Sequence, residues 1–264
     1  MDTARFAVAL CFEKKVCLMI ASLIMYERAE LQSAHARYWQ LIHRHLENAG
    51  ISSPKTLSQS ADATAVWLHP ELALSQTCGM PYRNDLREKV TLVGTPDFDL
   101  ANCPAGYYRS AFVVRAEDPR KTISDFESAR FAYNQLGSQS GYAAAFQHTK
   151  PRGFWFNERL ETKGHLLSAQ AVAQGRADIA ALDGVTWRNL VKYDDFARDL
   201  RVLEWTAPTP GLPYITSQKN DADAVFGAVK AAIAELSAED SALLGIKDIV
   251  RIPKEDYFSV PNPD

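Results

Sequence analysis

The chain has 264 residues, 29 Lys and Arg against 32 Asp and Glu, a net charge of -3, and 47% hydrophobic and 23% charged residues. That composition is that of a folded globular protein, with room for one large domain or two closely joined lobes, and it argues against disorder and coiled coil. A weakly acidic chain without a run of five basic residues has no field to gather nucleic acid or anionic lipid, so neither is expected as a partner.

Ala7 to Phe12 is apolar but short, lacks a basic n-region and is broken by Glu13, Lys14 and Lys15, so it makes a poor signal peptide. Val16 to Met25 is too short to span a bilayer; a first buried strand is read near Val16 to Leu23. Leu31, Ala34, Tyr38, Leu41, Ile42 and Leu46 recur at helical steps and predict a helix from about Glu27 to Ala49, ended by Gly50. A second strand is predicted near Thr64 to Leu68, a short helix near Pro70 to Leu74, and a third strand near Val90 to Gly94. This opening reads as βαβαβ, the pattern of a mainly parallel sheet covered by helices.

The alternation restarts after the loop Asp97 to Gly106. Strands are predicted at Arg109 to Arg115, Arg130 to Asn134, Glu161 to Lys163, Ala177 to Leu182 and Leu200 to Thr206. Helical segments are predicted at Ile123 to Glu127, from Gly141, at Leu166 to Gln174, at Thr186 to Tyr193 and at Ala222 to Leu236. Pro208 to Pro213 reads as a rigid link. The expected fold is therefore α/β and two-lobed, with residues 1–100 and 208–264 forming one lobe, 101–207 inserted as the other, and a ligand cleft between them.

Asn134 to Tyr142 is a strand running through a hydroxyl-rich turn into a helix. The free N–H groups and dipole of a helix opening favour an oxyanion, and Ser138 and Ser140 can donate hydrogen bonds there. A plain helix cap is the competing reading. Asp183 ends a buried strand just before a helix, at the edge where open α/β sheets bind ligands, and reads equally as an N-cap. His165 opens another helix after Gly164 and is either structural or an anion donor. In the first lobe Tyr26 closes the first strand, Ser75, Gln76 and Thr77 follow the short second helix, and Thr95 ends the third strand, all of which would face the same cleft, while Trp187 and Tyr107 are cleft walls or core.

Walker A, G-x-G-x-x-G and H-E-x-x-H are absent, and neither serine sits in G-x-S-x-G. The four cysteines, Cys11, Cys17, Cys78 and Cys103, lack C-x-x-C spacing, and His43 and His45 are two apart on a helix, so no metal and no cofactor are expected. An enzyme would have only His165 with Asp183 to work with.

Together these segments resemble the phosphate, phosphite and phosphonate binding components of ABC importers, with the type II periplasmic-binding-protein fold. The resemblance is carried by Ala21 to Tyr26, Ser75 to Gly79, Val93 to Pro96, Tyr108 to Ser110 with Val113 and Val114, Asn134 to Gly141, Gly164-His165, Gly175 to Asp183 with Trp187, and Thr206 to Pro208 with Gly211 to Pro213. It spans about residues 18 to 218. It implies a small oxyanion held by Ser138, Gln139, Ser140, Gly141 and His165, closed over by Tyr26 and Thr77, with Asp183 the one candidate carboxylate for an amino end. It also implies a periplasmic monomer that delivers its ligand to permease subunits, and export would bridge Cys78 to Cys103. A cytoplasmic ligand-sensing domain of the same fold is the alternative.

Overall fold

The computed structural model describes residues 18–59 and 62–263. Cys11, Cys17, the run Ala7 to Phe12 and the start of the first expected strand lie outside the described residues.

In chain order the strand β1 (Ile20–Ser22) leads through two 3-10 turns, Ile24–Tyr26 and Ala29–Leu31, into helix α1 (Gln32–Asn48). The helix thus starts later than its apolar period suggested, because Glu27 and Arg28 are extended between the turns and their side chains are engaged elsewhere. Gly50, at φ +74°, ends α1 as expected.

The next two assignments are exchanged. Residues around Thr64 to Leu68 form helix α2 (Ala63–Trp67), capped by Asp62 Oδ1, which accepts from Ala65 N at 2.9 Å. The expected helix around Pro70 to Leu74 is instead strand β2 (Leu72–Gln76), buried at every position. A short apolar run carries no period long enough to separate the two states, and the central place in a sheet decided it.

The chain continues through α3 (Gly79–Pro81), β3 (Thr91–Asp97), β4 (Tyr107–Tyr108), β5 (Ser110–Arg115) and β6 (Phe131–Tyr133). A helix then opens as a π turn at Gln139–Ala143 and continues as α4 (Ala144–Thr149). There follow β7 (Arg159–Glu161), α5 (His165–Ala173), β8 (Ile179–Asp183), α6 (Gly184–Tyr193), β9 (Leu200–Trp205), β10 (Thr209–Pro210) and β11 (Tyr214–Thr216). The strand expected at Glu161 to Lys163 ends at Glu161, since Lys163 adopts φ +71°. Helices α7 (Ala222–Ala234) and α8 (Ala238–Leu244), strand β12 (Asp248–Val250) and α9 (Lys254–Phe258) complete the chain.

Two five-stranded sheets result, ordered β1-β2-β11-β3-β12 and β7-β6-β8-β5-β9. In the first, β1, β2 and β3 run one way and β11 and β12 the other; in the second only β5 opposes the rest. Both are covered on both faces. Along β5, Ala111 and Val113 enter the core under α5 and α6, while Phe112 and Val114 enter an aromatic core with Phe126, Phe131, Phe154 and Phe156. On the first sheet α1 and α7 cover one face, and Trp67, Tyr82 and Tyr257 fill the other.

The chain passes between the sheets near Gly106 and again near Gly211. These passages pair as the antiparallel β4 and β10, with Gly211 N donating to Gly106 O at 2.9 Å. Gly106 has φ +75°, and a Cβ on Gly211 would lie 2.5 Å from Gly106 O, so glycine permits the close approach.

Candidate functional site

The strands β1, β2, β6, β7 and β8 send their carboxyl ends toward one space, the edge where open α/β sheets take ligands. A cavity of about 630 Å³ lies there, walled by residues following each of those strands and by Trp67 and Leu212.

Its polar floor is the helix opening at Gln139. Ser138 caps it, its Oγ accepting from Gly141 N at 3.0 Å, and Ser140 Oγ lies 2.9 Å from His165 Nε2. The positive end of this helix therefore points at hydroxyls and an imidazole with no cation among them. A Cβ on Gly141 would sit 2.0 Å from Asn134 Oδ1 and 3.1 Å from His165 Cε1, so the floor closes only around glycine. Asn134 Oδ1 is buried in this wall and has no hydrogen-bond partner among the described residues. Burial lowers His165 to about 4, which keeps the ring neutral at pH 7.

Across the cavity the Tyr26 hydroxyl donates to Asp183 Oδ2 at 3.1 Å. Asp183 Oδ1 accepts from Val185 N at 2.8 Å and Thr186 N at 2.9 Å, so the capping reading of Asp183 also holds. Burial raises the Asp183 carboxyl to about 6, against the lowering pull of those hydrogen bonds. Burial and the nearby Asp183 push the Tyr26 hydroxyl well up, so it remains a donor. Its ring packs edge to face on Phe98 at 5.0 Å. At the mouth, Arg28 pairs with Asp194 at 3.0 Å and with Glu30 at 2.7 Å, and lies 4.6 Å above the Tyr193 ring.

Of the residues singled out from sequence, Tyr26, Ser138, Ser140, His165 and Asp183 line the cavity, and Gly141 lies immediately behind it. Ser75, Gln76, Thr77, Thr95, Gln139 and Trp187 do not line it. Ser75 Oγ donates to Ser22 O at 2.8 Å, tying β2 to β1. Gln76 Nε2 donates to Leu212 O at 3.1 Å and Thr77 N to Pro213 O at 3.0 Å, holding the second passage between the lobes. Thr95 Oγ1 lies 2.6 Å from the Tyr257 hydroxyl, which donates to Gly211 O. Gln139 is buried against Gly79, its carboxamide without a partner among the described residues, and Trp187 packs on the second-lobe core. Tyr107 is outside the wall too, its hydroxyl donating to Asp256 at 2.8 Å.

Cys78 and Cys103 are unbridged. Cys78 Sγ instead accepts from Gln139 N at 3.3 Å across the cleft, and burial pushes its thiol up. Sequence reading missed Met25, Arg28, Cys78, Asn134, Asn189 and Leu212 as wall residues. Asn134 was within reach, since it ends a strand in the stretch that supplied Ser138; the others carry no local signal.

His165 and Ser140 have the spacing of a base and a nucleophile, but among the described residues no carboxylate hydrogen-bonds the imidazole, and Asp183 is committed to Tyr26 and to the start of α6. Among the described residues no group of three His, Cys, Asp or Glu is placed to hold a metal ion, and no helix is long and apolar enough to cross a membrane.

Residues 85–257 match the family described as the periplasmic substrate-binding protein of phosphonate ABC transporters. No curated protein matches the sequence significantly. Among solved structures, the chain is similar to the PhnD1 protein of Prochlorococcus marinus in complex with methylphosphonate, at TM-score 0.70 and 15% identity, over 90% of this chain and 94% of that one. A protein of Xanthomonas citri bound to ATP gives TM-score 0.66 at 15% identity, over 91% and 93%. The binding component of an ABC phosphonate transporter from Pseudomonas aeruginosa gives 0.65 at 15%, over 90% and 82%. The fold is thus the two-lobed type II periplasmic-binding-protein fold.

Proposed function

The chain belongs to the periplasmic substrate-binding proteins of phosphonate ABC transporters, and on that premise we propose that its cleft captures a phosphonate, or a closely similar phosphorus oxyanion, at Ser138, Ser140, Gly141 and His165. Members of the family bind and deliver substrates and are not enzymes. The observation that carries the ligand assignment is the helix opening where Ser140 and His165 meet at 2.9 Å, facing the cavity. Hydroxyls and a helix N-terminus hold an oxyanion without a full positive charge, which leaves binding reversible. Tyr26 closes from the other lobe through its bond to Asp183. Among the described residues, those up to 100 with those from 208 onward, and 101–207, move as two bodies about the paired passages at Gly106 and Gly211. The closed monomer is what a membrane permease reads at its periplasmic face.

Calorimetric titration of ligand-free protein against methylphosphonate, phosphate, phosphite, sulfate and ATP tests this reading. Micromolar or tighter binding of one phosphorus oxyanion is expected. Binding of sulfate alone, or of none of the panel, removes it.

A further inference from the structure

We propose that the substrate of this cleft is a phosphonate bearing an uncharged, apolar substituent larger than methyl, laid along Ile24, Met25, Trp67, Leu166, Leu190 and Leu212. The inference rests on the reading above that the oxyanion end sits at Ser138, Ser140 and His165.

The first ground is size. A water molecule takes about 30 Å³ of liquid volume, so an oxyanion of a few heavy atoms fills a small part of a 630 Å³ cavity. Pockets of roughly 300–1,000 Å³ enclose organic ligands of considerable size.

The second ground is the chemistry of the apolar part of the cavity wall. Trp67, Leu190 and Leu212 are buried there, Ile24 and Met25 are half-buried, and Leu166 stays 41% exposed in the cavity wall. An apolar substituent would take this surface out of water.

The third ground is that the carboxylates in the wall are already engaged. Glu27 meets His35 at 2.7 Å and Gln59 at 2.8 Å, Glu30 holds Arg28, and both oxygens of Asp183 are taken by Tyr26 and the start of α6. The cations are likewise paired, Arg28 with Asp194 and Lys163 with Glu161 at 2.5 Å. An ammonium group on the substituent would lose hydration and, among the described residues of the wall, meet only carboxylates that already hold a partner.

The test is a calorimetric series on the full chain with methyl-, ethyl-, propyl- and butylphosphonate and 2-aminoethylphosphonate. Affinity is expected to rise roughly two- to fourfold per added methylene, and 2-aminoethylphosphonate to bind at least about tenfold more weakly than propylphosphonate. Methylphosphonate binding as tightly as butylphosphonate, or 2-aminoethylphosphonate binding more tightly than propylphosphonate, overturns the inference and leaves the oxyanion site standing. Failure of the whole series while phosphate or phosphite binds overturns the inference alone; failure of the series and of phosphate and phosphite overturns both. Leu166→Asn is expected to lower the butyl-to-methyl affinity ratio several-fold; an unchanged ratio refutes the assigned wall.

Discussion

Tyr26 and Asp183, 157 residues apart, meet across the cleft with the tyrosine hydroxyl donating to Asp183 Oδ2 at 3.1 Å. One follows the first strand of the first sheet and the other ends a central strand of the second, so the bond joins the two sheets at the edges that carry the site. Arg28 with Asp194, and Arg188 Nη1 donating to Phe98 O at 2.8 Å, reinforce the same seam. A lobe-closing protein needs contacts of this kind, made in the closed state and absent from the open one.

Tyr26→Phe removes that bond while leaving the ring on Phe98. Ligand affinity is expected to fall by about 1–2 kcal/mol, the usual loss for a hydrogen bond to a charged or partly charged group, with little change in unfolding midpoint. Calorimetry of the variant with a bound phosphonate reads this directly, and unaltered affinity means that closure does not draw on the bond.

Ser140→Ala deletes the hydroxyl shared with His165 at the helix opening. Binding weaker by roughly 1–2 kcal/mol is expected. A variant that binds every phosphorus oxyanion as the parent does would move the anion away from this helix.

Gly141→Ala places a methyl group 2.0 Å from Asn134 Oδ1. Overpacking of this kind is expected to destabilise the fold by about 1–3 kcal/mol in urea titrations and to abolish binding. Gly164→Ala is the control, since its Cβ would meet nothing nearer than 3.9 Å and Gly164 is extended. Equal losses in the two variants would contradict the steric account.

Asp183 and His165 bias the pH dependence of stability in opposite directions. The Asp183 carboxyl is raised from 3.8 to about 6, so between those values the folded state holds more protons than the unfolded one and stability falls as pH rises. His165 is lowered from 6.5 to about 4, so over nearly the same window the unfolded state holds more protons and stability rises with pH. Each effect is at most about 3 kcal/mol, and the two nearly cancel. Taken relative to the parent, the slope of the urea midpoint with pH from about 4 to 6.5 is expected to be negative in His165→Gln and positive in Asp183→Asn. Slopes of the same sign in the two variants would refute the assignment.

Much of the site was legible locally because helix openings and strand ends are local events. Ser138, Ser140, His165 and Asp183 each stand where a strand gives way to a helix, and all four reached the cavity. Thr95 ended an expected strand and Ser75, Gln76 and Thr77 followed an expected helix, yet Gln76, Thr77 and Thr95 hold the passage between lobes and Ser75 ties β2 to β1, since the end of an element does not show what passes beside it.

The sequence by itself determined the α/β alternation, the amphipathic face of α1, the restart of the pattern near residue 108 and the anion-suited turn at Ser138, all of which follow from periodicity and turn chemistry over a few residues. The tertiary structure alone decided that Leu72–Gln76 is a central strand, that Cys78 faces Gln139 rather than Cys103, and that Met25, Leu190 and Leu212 share a wall. These depend on contacts between segments far apart in the chain. Such contacts follow from how two sheets stack and where the chain crosses between them, and no window of sequence contains both partners.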